Sequence, residues 1–240
     1  GIPCRRPATD GDFRVRVRDY AGENGGVVLA NPNAPTGIAL TLDEIEAILS
    51  SNRASVVIVD EAYVDFGARS AVELIPKYEN LLVTQSFSKG RALAGLRLGM
   101  AFGCAELIEV LDTVKNAFNS YPVDSIAVAA GVASLADEAY FERRAAQVIA
   151  TRERIAAVLR GMGFSLTDSA ANFLFIAHAD VDAGALMRYL KGRGILVRHF
   201  SLPRIERRLR VTVGTDAEMD RFTEAVSDFL GKGKGERDAF

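Results

Sequence analysis

The strongest constraint on this chain is a short apolar run, Ser55-Val56-Val57-Ile58-Val59, closed by a carboxylate, Asp60. It is too short and too β-branched for a helix and lacks polar alternation. It therefore reads as a central parallel strand, buried on both faces. Parallel strands need long crossovers, and the flanking sequence supplies them. Val27–Ala30 is a similar run upstream, followed by Thr41-Leu42-Asp43-Glu44, a capping box that opens a helix through about Ser50. Leu81–Thr84 and Leu98–Phe102 read as further strands of the set. This alternation predicts an α/β fold with a mostly parallel central sheet flanked by helices.

Beyond Gly103 helical patterns take over. Glu106–Asn116 is amphipathic, Val123–Ala136 is rich in small residues and reads as buried, and Glu138–Met162 is a long helix of the kind that joins domains. A strand at Phe173–Ile176, a helix at Ala183–Arg193, strands at Ile195–Val197 and Leu209–Val213, and a helix from Asp216 to about Leu230 complete the pattern. Thr215 is placed to cap that last helix, and Gly231–Gly235 reads as a frayed end. The expected organisation is a large domain over residues 1–136 and a smaller C-terminal α+β domain over residues 137–240.

Charge and composition exclude several classes of function. The 29 basic and 31 acidic residues leave a formal charge of −2, which is no footprint for nucleic acid. No apolar run reaches 18 residues, so no membrane span is expected. Gly1–Arg6 lacks the apolar core of a signal peptide. Cys4 and Cys104 are isolated, and the two histidines, His178 and His199, fall in no ligand spacing. A reducing, cytoplasmic setting without a metal is the expectation.

Four elements arrive in order at the C-terminal ends of strands, the edge where open α/β sheets bind ligands. The loop Asn31-Pro32-Asn33-Ala34-Pro35-Thr36-Gly37 alone reads more readily as a turn than as a functional element. Asp60-Glu61-Ala62-Tyr63 puts a carboxylate at a buried strand end, where a cationic ring nitrogen would satisfy it; a helix N-cap followed by a packed Tyr is the plainer reading. Ser86-Phe87-Ser88-Lys89 offers two hydroxyls and an amine that is a usable nucleophile if desolvated, though most loop lysines are solvated charges. Arg97, eight residues after Lys89, sits among small and apolar neighbours, where a buried guanidinium calls for a phosphate or a structural carboxylate. Together, a nucleophilic Lys, an Asp for a pyridinium nitrogen and a phosphate clamp are what pyridoxal phosphate demands.

The strings NPNAPTG, VDEAYVDF, SFSKGRALAGLRLG, SAANFLFI, ILVRHF and LRVTVGT resemble the fold-type I pyridoxal-phosphate aminotransferases, most closely their histidinol-phosphate branch. The likeness runs from about Gly26 to about Leu230. It implies that Lys89 carries the cofactor covalently, that Asp60 pairs with the ring nitrogen, and that Tyr63 bonds the ring oxygen. It further implies that Ser86, Ser88 and Arg97 hold the phosphate, that Arg210 receives the substrate's anionic group and Arg198 its phosphate, and that Asn172 lies near the substrate mouth. Many family members place Asn directly before Pro-Thr-Gly; here that position is Ala34, with Asn33 the nearest substitute. Family members also carry a long segment ahead of the first motif, with a phosphate-cupping turn and a ring that stacks on the cofactor. Gly1–Gly26 holds no such turn.

The implied activity is amino transfer from histidinol phosphate to 2-oxoglutarate in histidine biosynthesis, by a cytoplasmic homodimer that acts on small molecules. An aromatic-amino-acid aminotransferase, a threonine-phosphate decarboxylase, and a non-catalytic fragment or interaction module are the alternatives. His199, His178 and the cluster Arg204, Arg207 and Arg208 read as structural or solvated residues.

Overall fold

A computed structural model describes residues 1–235. The chain divides into two compact units, one made of Gly1–Ala34 with Ile38–Ala145, the other of Pro35–Gly37 with the chain from Ala146 onward.

In the first unit β1 (Val27–Ala30), α1 (Leu42–Ser51), β2 (Val57–Asp60), β3 (Leu81–Ser86) and β4 (Gly99–Gly103) follow in sequence. The sheet order is β1-β2-β3-β4, with the first three strands parallel and β4 antiparallel. The expected fold class is therefore present, with one change of direction. Only residues 87–98 separate β3 from β4, and they contain no crossover helix, so the chain must return antiparallel. Thr41 caps α1 as expected: its hydroxyl accepts the Glu44 N–H (3.2 Å), and the Glu44 carboxylate accepts the Thr41 N–H (2.8 Å).

Alternate strand residues Val27, Leu29, Val57, Val59, Leu81 and Val83 pack against Ile45, Ile48 and Leu49 of α1 and against Ala71, Leu74 and Tyr78. Each fully buried aliphatic side chain contributes roughly 1.5–3 kcal/mol. The opposite face is less covered than the apolar run implied: Ile58 is half-buried and Val28 is 69% exposed. Two helices follow, α2 (Ala105–Phe118) and α3 (Ser125–Ala136). No residue of α2 is buried. In α3, read as buried, only Ala127 and Gly131 are, while Ile126 is 72% exposed. Gly131 lets Leu98 pack close: a Cβ there would lie 2.5 Å from Leu98 Cδ2, so the leucine side chain would have to shift.

Helix α4 (Glu138–Gly161) begins in the first unit and ends in the second. The second unit adds β5 (Phe164–Leu166), β6 (Phe173–His178), α5 (Ala183–Gly192), β7 (Arg198–His199), β8 (Arg208–Thr212) and α6 (Asp216–Gly235). Its sheet is antiparallel throughout, in the order β5-β6-β8-β7. Leu174, Ile176, Leu209 and Val211 face a core completed by Ile155 and Leu159 of α4, Leu186 of α5 and Phe222 of α6. Ile195 and Val197, read as a strand, instead pack on this core from the approach to β7. Thr215 forms the expected cap with Glu218. Helix α6 continues through Gly235, where fraying was expected. Among the described residues, no helix is long and apolar enough to cross a membrane.

Candidate active site

Because β2 and β3 are parallel, both deliver their C-terminal ends to one edge, with Asp60 aligned beside Thr84. Asp60 is exposed, not buried as expected, and its Oδ1 accepts the Ala62 N–H (3.1 Å). Among the described residues no cationic side chain pairs with it. The buried acid is its neighbour Glu61, 1% exposed, which accepts from Ser70 Oγ (2.6 Å), the Ala71 N–H (2.6 Å) and Gln85 Nε2 (2.9 Å). Burial pushes the Glu61 carboxyl above its ordinary range, against the pull of those three hydrogen bonds.

Tyr63 is half-buried, and Lys89 Nζ lies 5.5 Å from the centre of its ring. The amine and the phenol ring thus share the edge that Asp60 ends on. Lys89 is exposed rather than desolvated. Ser86 Oγ accepts the Ser88 N–H (3.0 Å), which tightens the turn after β3. Beyond the Ser86–Gly99 pair the Phe87 N–H donates to Leu98 O (3.1 Å), while the Phe87 carbonyl accepts the Leu93 N–H (2.9 Å) and closes the loop that carries Lys89. Arg97 is exposed at a left-handed backbone position (φ 54°) and donates to Ala94 O (2.8 Å). The expectation of a buried arginine is overturned: the side chain is exposed and, among the described residues, bonds only a backbone carbonyl of its own turn.

Two residues that sequence reasoning missed hold that turn. A Cβ at Gly90 would lie 2.1 Å from Asp65 Oδ2, so the Asp65 carboxylate rests on the backbone beside Lys89. Burial raises the Asp65 carboxyl, Arg91 pulls it down and Glu61 pushes it up. Arg91 donates to Ser134 O (2.6 Å) and covers the Phe141 ring at 4.1 Å. The glycine directly after Lys89 was the available signal.

In the Pro/Asn loop Asn33 is half-buried and donates its N–H to Ile38 O (2.9 Å). The fully buried residue is Asn31, whose Oδ1 accepts the Leu40 N–H (2.7 Å). Pro35–Gly37 belongs to the second unit, where Thr167 Oγ1 donates to Thr36 O (2.6 Å). Gly37 combines φ 75° with a Cβ position 2.3 Å from Ser169 Oγ, so no side chain fits there.

The second unit brings Arg198 and Arg210 together as direct cross-strand partners. Both stand on the sheet face opposite the core, with Phe173 and Phe175 of β6. The Arg210 guanidinium lies 5.2 Å from the Phe173 ring, and that of Arg198 lies 5.5 Å from the Phe200 ring. Arg210 Nε is buried without a hydrogen-bond partner, and neither arginine pairs with a carboxylate among the described residues. Like charges placed directly opposite repel. Asn172 immediately precedes β6, and its carbonyl accepts the Val213 N–H (2.9 Å). His199 turns away and bonds Glu206 O (2.7 Å).

These motifs carry a family signature across both units: residues 5–226 match aminotransferase class I and II. The chain belongs to that family. It is 49% identical over 231 residues to the histidinol-phosphate aminotransferase of Lactococcus lactis subsp. lactis IL1403, covering 96% of this chain and 64% of that one. It is 50% identical over 226 residues to histidinol-phosphate aminotransferase 1 of Pseudomonas aeruginosa, covering 94% and 64%. The chain thus spans just under two thirds of these relatives' length. Among solved structures, histidinol-phosphate aminotransferase from Sinorhizobium meliloti in complex with pyridoxal-5′-phosphate superposes with a TM-score of 0.77 at 27% identity, covering 87% of this chain and 58% of that one.

Proposed function

We propose that this chain serves pyridoxal-phosphate-dependent amino transfer, with histidinol phosphate as amino substrate and 2-oxoglutarate as acceptor, in histidine biosynthesis. One observation carries the reading: the Lys89 amine lies 5.5 Å from the Tyr63 ring centre, on the sheet edge where Asp60 presents a carboxylate. The donor set suits the cofactor, with an amine, an anion that no cation of the described chain neutralises, two hydroxyls and an exposed guanidinium. When bound, the cofactor supplies a cationic ring that makes a substrate α-proton acidic.

In this reading the first unit is the cofactor-binding domain. Lys89 anchors the cofactor and moves the proton at the substrate α-carbon. Asp60 holds the proton on the ring nitrogen by charge. Tyr63 donates to the ring oxygen, with Asn33 standing in for the asparagine that many family members carry directly before Pro-Thr-Gly. Ser86, Ser88 and Arg97 bind the phosphate. The second unit supplies Arg198 and Arg210 for the anionic groups of the substrate and Asn172 at its mouth. The similarity to named histidinol-phosphate aminotransferases favours the phosphorylated amine, and the unneutralised Arg198–Arg210 pair agrees with it. A homodimer working in the cytoplasm completes the proposal.

The test is glutamate formation from 2-oxoglutarate by the full-length protein, with histidinol phosphate against phenylalanine and threonine phosphate. Preferred transfer from histidinol phosphate is expected. Preference for phenylalanine, or carbon dioxide release from threonine phosphate, would replace the reading.

A further inference from the structure

The arginine face of the second unit extends beyond the two residues the family motifs single out. In β8, Leu209 and Val211 point into the core, so Arg208 and Arg210 share the other face. Arg208 read as one of a solvated basic cluster, yet it is half-buried there. Its guanidinium lies 5.3 Å from the Phe175 ring, and its Nη1 reaches Phe175 O at 3.5 Å. Phe175, fully buried, meets Phe200 edge-on at 6.4 Å. Phe200 in turn lies under Arg198 at 5.5 Å and near Arg210 at 6.0 Å. Continuing the β7–β8 register by one residue sets Phe200 across from Arg208. A continuous chain of ring and guanidinium contacts therefore runs from Arg208 through Phe175 and Phe200 to the Arg198–Arg210 pair.

This arrangement has a physical consequence. Two like-charged guanidinium groups opposite one another spread apart unless something fixes their planes. Phe200 is the surface both rest on, and an aromatic ring holds a cation by its face. Phe200 follows a strand of only two residues, so its own backbone pairing fixes it weakly. Phe175 lies in the middle of a six-residue strand, and Arg208 covers its ring. Partial burial lowers the proton affinity of the Arg208 guanidinium, as expected of a cation held partly out of water. An arginine whose purpose was solubility would keep its head in water.

We propose that Arg208 is a positioning residue: through Phe175 and Phe200 it fixes the spacing of Arg198 and Arg210, so that the pair grips a phosphomonoester dianion. The inference rests on the reading of that pair as the substrate-anion site. It concerns the grip on phosphate, not the chemistry at Lys89.

The experiment uses the full-length protein loaded with cofactor, with two ligands: histidinol phosphate by steady-state kinetics, and inorganic phosphate by calorimetric titration. Arg208→Met is expected to raise KM for histidinol phosphate roughly three- to tenfold, the worth of one cation–ring interaction, with kcat unchanged. It is expected to weaken inorganic phosphate by a similar factor and to leave KM for 2-oxoglutarate within about twofold, because a dicarboxylate tolerates a wider spacing of its two arginines. Phe175→Leu, which keeps all three charges but removes the relay, is expected to give the same pattern. Arg208→Lys, which keeps the charge and part of the stacking, is expected to restore much of the loss. If Arg208→Met does not fold, Phe175→Leu and Arg208→Lys carry the test. Wild-type binding of phosphate that none of these variants alters would overturn the role of Arg208 alone. A fall in kcat with both KM values unchanged would do the same. Wild-type protein that binds no phosphate, and prefers unphosphorylated amines, would overturn this proposal together with the substrate reading beneath it.

Discussion

In the first unit the sheet is sealed on the side of α1, while Val28 on the other side is 69% exposed and no residue of α2 is buried. In the second unit α4, α5 and α6 close over one face of the antiparallel sheet, leaving Ile155, Leu159 and Leu190 with no exposure. The residues proposed for chemistry, Asp60, Lys89 and Arg97, are exposed at the rim of the thinly covered unit. Those proposed for grip, Arg198 and Arg210, are backed by the sealed one. Groups that must be reached by a cofactor and then let go stand where covering is sparse. Groups proposed to hold an anion stand on a sheet whose far side is packed against α4, α5 and α6. Local stability should follow the same division, since opening free energies track buried apolar contacts.

The largest effect expected from this comparison lies at Lys89. In the full-length protein, Lys89→Ala should remove amino transfer altogether and abolish borohydride trapping of cofactor on the chain. Its melting temperature without cofactor should not change, because an exposed side chain at the rim supports no core. A variant that still traps cofactor at the wild-type level would show that another amine is the anchor. A large fall in melting temperature would show that the rim is structural after all.

Next come paired truncations, one in each unit. Leu159 is fully buried in the second core, and Leu159→Ala should cost about 2–5 kcal/mol. Val114, 62% exposed on α2, should cost no more than about 0.5 kcal/mol on the same change. Chemical denaturation of both variants checks this. A comparable loss at Val114 would mean that a partner surface covers α2 in solution, and the contrast between the units would disappear.

The strands were legible because β-branched runs have few alternatives, and α1 because its cap is local. What escaped depended on which way a side chain turns at the end of an element. Asp60 and Glu61 are consecutive acids where β2 runs out, and strand alternation sends one outward and the next inward. The type of residue alone does not say which. The direction of β4 depended on the absence of a crossover helix in residues 87–98, a matter of connection length rather than strand pattern. Helix α3 has the composition of a buried helix, but composition states a preference for burial and not what covers it. Arg208 read as solvated because three arginines close in sequence look like a basic surface; its place on the Phe175 ring follows from pairing with a strand more than thirty residues away. Lys89, Tyr63, Asp60 and the Arg198–Arg210 pair were all read as one site. The structure sets Lys89 beside Tyr63 and Arg198 beside Arg210.

A third way to sharpen the contrast is Arg198→Ala. Removing one charge-assisted hydrogen bond should weaken the hold on histidinol phosphate by roughly 1.5–3 kcal/mol, which raises its KM about ten- to a hundredfold and leaves histidinol little affected. Steady-state kinetics with the two amines decides it. Equal losses for both would place Arg198 outside a phosphate site, and the grip of the second unit would rest on Arg210 alone.

The smallest effect concerns Glu61, the one carboxylate sealed in the thinly covered unit. Burial holds its folded-state pKa above the ordinary value, and the unfolded chain restores that value. The folded protein therefore keeps a proton that the unfolded chain gives up first as pH rises. The stability this proton contributes is complete below the unfolded pKa. It is lost as pH climbs through the folded one and stays lost above it. Glu61→Gln removes the titration. Its oxygen can accept the Ala71 N–H and its amide can donate to Ser70 Oγ, provided the Gln85 amide rotates to present its oxygen. The variant should therefore gain on the wild type as pH rises from about 4.5 toward neutrality, with no gain at the acid end and a difference of no more than about 1 kcal/mol once the hydrogen bonds are exchanged. Melting curves of both proteins across that range supply the measurement. A difference that is flat with pH would mean that Glu61 is already ionised in the folded state at no cost, and that the rim of the first unit admits more water than its 1% exposure implies.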